Sequence, residues 1–267
     1  MNLKYYIPYP PEFLMHNGIY RKTFRFLNKS QYWSTEKMKQ YQFEQLKKIL
    51  NHAYNNTVFY RELFDKVSFK PDTMKDFKDI LRIPVLTKDI IRNNLERMVA
   101  GNLAHKKKMA NSGGSTGEPL IFYRQKRFTR SKEQAFFWHL WKWKNIKRND
   151  RFVQLRARKM SDKSGFYYQT RFNRMYLSPY HLNDEYIPLM LEMLNKYKPH
   201  VIQGYPSNLY ILARWINKHN FAVCFKPKAI LTSSENLFDF QKDNIETAFK
   251  GKIFDLYGLS EGNVMIN

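Results

Sequence analysis

The stretch "HVIQGYPSNLYILARWINKH", residues 200 to 219, carries the pattern that decides the fold. A short apolar run ends at Gly204, and apolar residues then recur at the three- and four-residue spacing of a helix. Pro206 stands in what would be the first turn of that helix, a position that proline favours. The stretch therefore predicts a buried strand followed directly by an amphipathic helix.

The same pattern returns further along the chain. "KAILTSSE" (228–235) gives a second apolar run, and "NLFDFQKDNIETAFKG" (236–251) gives a second helix that we expect Gly251 to end. "KIFDLYG" (252–258) gives a third apolar run. Strands and helices that alternate with short connections predict an α/β fold, in which helices flank a mainly parallel sheet.

Small, polar or aromatic residues follow each of the three predicted strands. In open parallel sheets, ligands bind beyond the carboxyl ends of the strands. We therefore expect one rim to collect these residues: Gly204, Tyr205, Pro206 and Ser207 after the first strand, Thr232, Ser233, Ser234 and Glu235 after the second, and Tyr257, Gly258, Ser260 and Glu261 after the third.

A glycine-rich segment, "NSGGSTGEPLIFY" (111–123), lies upstream of this repeat. Glycine amides can approach phosphate oxygens closely, and the serine and threonine hydroxyls add donors. Glu118 and Pro119 follow the last glycine where P-loop nucleotide hydrolases have lysine and a helix, so that class is excluded. Two interpretations stay open here, a phosphate-binding loop and a glycine-rich turn between the short strands that "KKKMA" and "LIFYR" predict.

Two side chains after the third strand are candidates for ligand binding. The carboxylate of Glu261, beside the Ser260 hydroxyl, suits magnesium, which prefers one or two carboxylates together with substrate phosphates. Tyr257 could stack on a purine ring. The competing interpretations are a solvent-exposed loop glutamate and an ordinary half-buried tyrosine.

The earlier part of the chain predicts mainly helices. The stretch 35–56 has helical spacing, and Thr87 is a good N-cap for a second helix. An aromatic-rich helix is expected over 131–143, starting with a capping box at Ser131. After it, "DRFVQLRAR" (150–158) favours a strand.

The formal net charge of the chain is +23, and residues 106–163 alone carry 17 lysines and arginines against 4 acidic residues. Such a field attracts polyanions or a phosphorylated substrate. Four aromatic residues lie among these basic residues and keep a nucleic-acid-binding alternative open, although a role in the core is the favoured interpretation: Phe128, Trp138, Trp141 and Trp143.

Cysteine content and apolar patterning exclude several classes of protein. The single cysteine, Cys224, allows neither an internal disulfide nor a thiolate zinc cluster, and we expect it to be buried. No apolar run approaches the roughly 20 residues that span a bilayer. Residues 1–13 lack the features of a secretory signal, which predicts a cytoplasmic protein.

Four motifs of this chain together resemble a known superfamily: "SGGSTGEP" (112–119), "GYPS" (204–207), "TSSE" (232–235) and "YGLSE" (257–261). Their order and rough spacing are similar to those of adenylate-forming enzymes, which include acyl-coenzyme A synthetases. The branch they resemble most is the phenylacetate-coenzyme A ligase family, particularly the ligase-like proteins of capsular polysaccharide biosynthesis. Residues 31–64 and 83–94 also resemble that branch, so the similarity covers nearly the whole chain.

The resemblance implies an activity and a set of site residues. The reaction would be ATP-dependent adenylation of a carboxylate, followed by transfer to coenzyme A or another acceptor, with magnesium as cofactor. The ATP phosphates would be held by Ser112, Gly113, Gly114, Ser115, Thr116 and Gly117 and faced by Ser260, and magnesium would be bound by Glu261. The adenine would be bordered by Ser233, Ser234 and Glu235, and its ring would pack on Tyr257 beside Gly258. The carboxylate pocket would be adjoined by Gly204, Tyr205 and Pro206. Thr116 and Glu261 are the candidate catalytic residues.

The resemblance also implies an incomplete N-terminal adenylation domain, with a helical lead-in over 1–100 and a nucleotide-binding part over 101–267. Leu120 stands where many superfamily members have a lysine. The family's later ribose-binding aspartate, its hinge and its C-terminal domain with a catalytic lysine are not in these 267 residues. We therefore expect the chain alone to adenylate poorly and consider a separate C-terminal polypeptide a candidate partner, with a catalytically silent scaffold as the alternative. The carboxylate and the acceptor stay open.

Overall fold

The structure is a computed structural model that describes residues 17–112, 118–156, 165–169, 172–258 and 265–266. The chain forms two compact units, one mainly of residues 18–136 and the other mainly of residues 137–258.

The first unit begins with helices and continues into a β-hairpin. Its helices are α1 (Gly18–Ser30), α2 (Thr35–Asn56), α3 (Val58–Lys66) and α4 (Lys88–Asn94), and short 3₁₀ turns follow α3 and α4. The strands are β1 (Lys107–Asn111) and β2 (Ile121–Gln125). Helix α5 (Phe128–Trp143) starts in this unit. A small core of Phe64, Phe69 and Met74 lies under α2 and α3.

Hydroxyl side chains cap several of these helices. The Thr87 hydroxyl accepts a hydrogen bond from the Ile90 amide at 3.3 Å, so the predicted N-cap is confirmed. The predicted capping box at Ser131 is wrong, because α5 begins three residues earlier at Phe128. The Ser131 hydroxyl instead donates to the Arg127 carbonyl at 2.7 Å.

Strands β1 and β2 pair antiparallel, from Lys107 opposite Gln125 to Asn111 opposite Ile121. Both strands predicted on either side of the glycine-rich segment are therefore confirmed. The segment connects the two strands of a hairpin, which is compatible with either interpretation of its glycines.

The second unit alternates strands and helices. Its strands are β3 (Phe152–Leu155), β4 (Phe166–Gln169), β5 (Arg174–Leu177), β6 (Val201–Gly204), β7 (Ala229–Ser233), β8 (Ile253–Gly258) and β9 (Met265–Ile266). Its helices are α6 (Ile187–Tyr197), α7 (Pro206–Lys218) and α8 (Asp239–Phe249), together with the second half of α5. The strand order is β4-β5-β3-β6-β7-β8-β9.

The sheet is mainly parallel, which confirms the predicted α/β class. β3 pairs parallel with both β5 and β6, and β7 pairs parallel with β6 and β8. Only the two outer pairs among the described strands, β4 with β5 and β8 with β9, are antiparallel. Strands β4 and β5 and helix α6 were not predicted.

The two faces of the sheet are covered differently. Val153 and Leu155 point to the face on which α6, α7 and α8 form the main core. Phe152 points to the opposite face, where its ring lies 6.2 Å from that of Trp138 and 5.7 Å from that of Trp141. Both indoles are buried and serve the core, which disfavours the nucleic-acid-binding alternative for these two residues. Trp143 is 57% exposed, so the expected core role is wrong for that residue.

The end of helix α8 and the exposure of Cys224 differ from the expectations from sequence. Helix α8 does not end on a left-handed Gly251, because Lys250 takes that conformation with φ 53°. Gly251 is instead needed for close packing, since a Cβ there would lie 2.7 Å from Cγ of Pro227. Cys224 is exposed, so the expectation of a buried thiol is wrong. Within the described residues, no helix combines the length and apolar character that crossing a membrane requires.

Candidate active site

The carboxyl ends of the central strands lie in register at one edge of the sheet. Gly204 at the end of β6 is paired with Thr232 of β7, and Leu155 at the end of β3 is paired with Gly204. Ser233 is paired with Leu256 of β8. The structure therefore brings the carboxyl ends of β6, β7 and β8 to a common rim, with the described residues Tyr205, Ser234 and Tyr257 beside them.

The strand order reverses between β3 and β6. After β3 the chain adds β5 on one side, and after β6 it adds β7 and then β8 on the other side. In open α/β sheets, such a reversal leaves a crevice beyond the carboxyl ends of the two strands, and ligands bind there. Tyr205 lies at this point, directly after β6.

Glu235 joins the loop after β7 to the start of α7. Tyr205 is the N-cap residue of α7 but makes no side-chain cap, and Pro206 occupies the first turn. The Glu235 carboxylate accepts a hydrogen bond from the Ser207 amide at 3.0 Å, which satisfies one of the free amides of the helix. The loop predicted to border the adenine is thereby bound to the segment predicted to adjoin the carboxylate pocket.

The two serines after β7 differ in conformation and burial. Ser233 is buried, whereas Ser234 is exposed and takes a left-handed conformation with φ 74°. Their hydroxyl oxygens lie 3.4 Å apart. A serine held in this conformation stores strain, which is a common feature of residues at ligand sites.

The end of β8 presents an aromatic ring and a carboxylate. Tyr257 is 59% exposed, so its ring is accessible for stacking, and Gly258 beside it is also exposed. Two residues earlier, the Asp255 carboxylate accepts a hydrogen bond from the buried Thr232 hydroxyl at 2.5 Å. This bond ties β7 to β8 just below the rim.

Arg156 is a residue at this rim that the sequence analysis missed. It follows β3 directly, its Nη2 donates to the Ser233 hydroxyl at 3.0 Å, and its guanidinium lies 6.0 Å from the Tyr205 ring centre. Burial lowers the pKa of the guanidinium, while the nearby Tyr205 acts in the opposite direction. Arginine nevertheless remains charged in proteins, so the rim carries a cation.

A pair of glutamines lies below Arg156 on the same strands. Gln154 of β3 and Gln203 of β6 are paired in register, and Gln154 Nε2 donates to Gln203 Oε1 at 2.6 Å. Polar residues inside otherwise apolar parallel strands are unusual, because both faces of such strands are normally buried. That departure is the signal in the sequence that could have identified this part of the site.

Several predicted site residues lie outside the described residues: Gly113, Gly114, Ser115, Thr116, Gly117, Ser260 and Glu261. Ser112 is described and closes the base of the glycine-rich segment. Its amide donates to the Leu120 carbonyl and its hydroxyl accepts from the Leu120 amide, each at 2.9 Å. Among the described residues, no group of three or more His, Cys, Asp or Glu side chains could hold a metal.

Comparisons with known proteins give both sequence relatives and structural neighbours. Protein CapK of Staphylococcus aureus is 29% identical over 228 residues, which are 83% of this chain and 50% of that protein. The phenylacetate-coenzyme A ligase of Escherichia coli (strain K12) is 30% identical over 89 residues, which are 33% of this chain and 20% of the ligase. No family model matches the chain.

The crystal structure of 2-hydroxyisobutyryl-CoA ligase in complex with 2-HIB-AMP and CoA superposes with a TM-score of 0.62 at 20% identity. The superposition covers 83% of this chain and 49% of the ligase. The chain is similar to adenylate-forming ligases. The resemblance and the fold predicted from the motifs are therefore confirmed.

The similarity to adenylate-forming ligases extends over only part of their length. The chain spans about half of CapK and about half of 2-hydroxyisobutyryl-CoA ligase. At 20% identity the superposition shows that the chain shares the fold of this ligase. The ligase activities in these names are those of the similar proteins.

Proposed function

We propose that the crevice beyond β3 and β6 binds ATP and a carboxylic acid, and that the chain forms the nucleotide-binding part of an enzyme that makes acyl-adenylates. One observation carries this proposal: the strand order reverses at β3 and β6, and Arg156, Tyr205 and Ser233 come together at that point. A cation, an aromatic ring and hydroxyl donors suit an anionic nucleotide. The Nε of Arg156, which is buried and has no hydrogen-bond partner within the described part of the chain, supports the fit.

In the proposed reaction, a carboxylate oxygen attacks the α-phosphorus of ATP. A carboxylate–phosphorus bond forms, the bond between the α-phosphorus and the bridging oxygen breaks, and pyrophosphate leaves. The enzyme then has to align the attacking oxygen and neutralise charge on the phosphates. At the rim we propose Arg156 for this work, with Ser233 holding it in position. The resemblance of the motifs separately supports the hydroxyls of Ser112, Ser115 and Thr116 as phosphate donors.

We also propose Glu261, with Ser260 beside it, as the ligand of a magnesium ion. Bound there, the ion would neutralise negative charge on the phosphates. Tyr257 would stack on the adenine, with Ser234, Glu235 and Gly258 around the ring. Gly204, Tyr205 and Pro206 would border the acid.

The biological role and the acceptor of the acyl group are also part of the proposal. The name of CapK, together with the capsule-related branch that the motifs resemble, supports a role in capsular polysaccharide biosynthesis. We propose the cytoplasm as the location of this reaction. Coenzyme A is the proposed acceptor, because the phenylacetate relatives are coenzyme A ligases. Since the chain spans about half of CapK, we propose full activity only for the chain together with sequence or a partner polypeptide that supplies the rest.

Calorimetric titration with adenosine, AMP and ATP, each with and without magnesium chloride, tests the proposal. We expect Tyr257→Ala to weaken the binding of adenosine about 5- to 160-fold, because stacking of a base on an aromatic ring contributes roughly 1–3 kcal/mol. Glu261→Gln should remove the magnesium dependence of ATP binding. Tyr32→Ala, a change at a tyrosine that is 83% exposed in the other unit, is the matched control. A wild-type chain that binds none of the three nucleotides would disprove the proposed function.

A further inference from the structure

A polar patch occupies one face of the sheet near its carboxyl edge. Gln154 and Gln203 share this face, because they are paired in register. Arg156 continues the alternation of β3, and it meets Ser233 of β7 on the same side. The opposite face carries the core formed with α6, α7 and α8. The patch therefore lies away from the main core and next to the crevice.

The guanidinium of Arg156 is only partly satisfied within this patch. Nη2 donates to the Ser233 hydroxyl, and Nε is buried without a hydrogen-bond partner among the residues that the structure describes. Across the described parts of the chain, no aspartate or glutamate forms an ion pair with Arg156. A half-buried arginine is normally paired with an acid, since taking its charge out of water is unfavourable.

Other basic residues of the same unit do have such partners. Lys228 is paired with Asp150 at 2.8 Å, and Lys252 is paired with Glu246 at 3.1 Å. Among the described residues, acids thus pair with these cations far from the crevice, whereas none pairs with the cation at the crevice. A ligand that brings its own negative charge would complete the site.

Building on the proposed function, we propose that Arg156 binds an anionic group of the ligand in the crevice, either a phosphate or a carboxylate. Both groups present paired oxygens that match the planar donor fork of arginine. Ser233 and Tyr205 hold the guanidinium in place, the first through its hydroxyl and the second through its ring. Arg156 would therefore contact the reacting part of the ligand, while Ser233 would act as a positioning residue.

Two matched pairs of ligands distinguish the sources of the anion. AMP compared with adenosine isolates the phosphate, and phenylacetate compared with phenylacetamide isolates the carboxylate. Affinities are measured on the 267-residue chain by calorimetry and by thermal stabilisation, with sodium chloride added to equal ionic strength. The variants are Arg156→Gln and Arg156→Lys, and Arg214→Gln at an exposed position of α7 is the control with the same change in charge.

We expect Arg156→Gln to weaken the binding of one of the two anions about 10- to 100-fold. This is the loss of affinity that follows removal of a charged hydrogen bond. The neutral analogue should bind as before. Arg156→Lys should weaken the same anion at least about 3-fold, since lysine lacks the fork. Ser233→Ala should weaken the anion less than Arg156→Gln does. Arg214→Gln should change neither affinity.

The outcomes separate this proposal from the proposed function. If the wild type binds adenosine but prefers neither anion over its neutral analogue, the proposed role of Arg156 is overturned. The nucleotide site stays in place in that case. Equal affinities of wild type and Arg156→Gln overturn the proposed role as well. If Arg156→Gln does not fold, Arg156→Lys decides, and an unchanged anion affinity in that variant overturns the proposal. If the wild type prefers an anion, loses that preference in Arg156→Gln and does not bind adenosine, the result would support the role of Arg156 and contradict the nucleotide site.

Discussion

Lys228 Nζ donates a 2.8 Å hydrogen bond to Oδ1 of Asp150, whose side chain is only 4% exposed. His200 Nδ1 lies 2.9 Å from the same oxygen, and the Lys147 amide donates to Oδ2 at 2.7 Å. Asp150, His200 and Lys228 stand just before β3, β6 and β7, so one carboxylate joins the amino-terminal ends of three adjacent strands. This cluster lies at the edge of the sheet opposite the candidate site.

The stability of the fold should depend on pH through the charge of the Asp150 carboxylate. Burial alone would raise the pKa of Asp150, but the hydrogen bonds from His200, Lys228 and the Lys147 amide outweigh it and lower the pKa from 3.8 to about 2. A carboxyl with a lowered pKa stabilises the fold above pH 4, and this stabilisation is lost as the pH falls toward 2. We expect Asp150→Asn to lose about 2 kcal/mol of unfolding free energy at pH 7.

Urea denaturation at pH values between 2 and 7 measures this effect. The difference between wild type and Asp150→Asn should shrink below pH 4 and be mostly lost at pH 2. Asp243→Asn, on an exposed position of α8, is the control and should follow the wild type. A constant difference across the whole range would show that the cluster does not act through the charge of Asp150.

Gly204→Ala should destabilise the fold by about 1–3 kcal/mol, because the position has no room for a methyl group. A Cβ there would lie 2.9 Å from Cγ of Leu209 and 3.0 Å from the Leu155 carbonyl oxygen. The backbone would have to shift at the very place where β6 meets the crevice. Chemical denaturation checks this, with Gly18→Ala as the control, since a Cβ at Gly18 meets nothing within 4 Å.

Ser234→Gly should stabilise the fold by about 0.5–1 kcal/mol. Ser234 has φ 74°, a conformation that costs a side chain roughly 1–2 kcal/mol and glycine very little. Ser234→Ala keeps the strain and removes only the hydroxyl, so it should not stabilise. Denaturation midpoints of the three proteins measure the effect, and equal midpoints for Ser234→Gly and Ser234→Ala would contradict the argument.

Glu235→Ala should lower stability by about 0.5–1 kcal/mol, the usual effect of removing a helix cap. The carboxylate accepts a hydrogen bond from the Ser207 amide, and the positive end of the α7 dipole favours its charge. Glu235→Gln keeps an acceptor oxygen and should lose less. The helical signal in circular dichroism during thermal unfolding tests the order, and a larger loss for Glu235→Gln would contradict it.

The repeat of strands and helices over 200–258 could be predicted from sequence, because apolar spacing there is uninterrupted. Observed strands such as β7 (Ala229–Ser233) fall within the predicted runs. The pair β4 and β5 was missed, since each strand has only four residues and includes a tyrosine and a polar residue, Gln169 in β4 and Arg174 in β5. Short strands of this kind are specified by pairing with neighbours rather than by local sequence.

The residues after β6, β7 and β8 could be placed at one edge from sequence, because parallel strands end together. Arg156 could not be placed there, because its role depends on which strand lies beside β3. Only the register, with Gln154 opposite Gln203, shows that Arg156 and Ser233 share a face. The capping roles of Glu235 and Lys250 were likewise invisible, since both depend on the local path of the backbone.

The hydrogen-bonded amides of Gln154 and Gln203 have a consequence for how the crevice responds to its surroundings. Neither amide gains or loses a proton in water, and the arginine above them stays charged at any physiological acidity. The floor of the crevice therefore offers a ligand the same electrical environment in an acidified cell as in a neutral one. Any change of affinity with acidity would then have to originate in a titratable group, such as the ligand's own phosphate or carboxyl group or the carboxylate of Glu235.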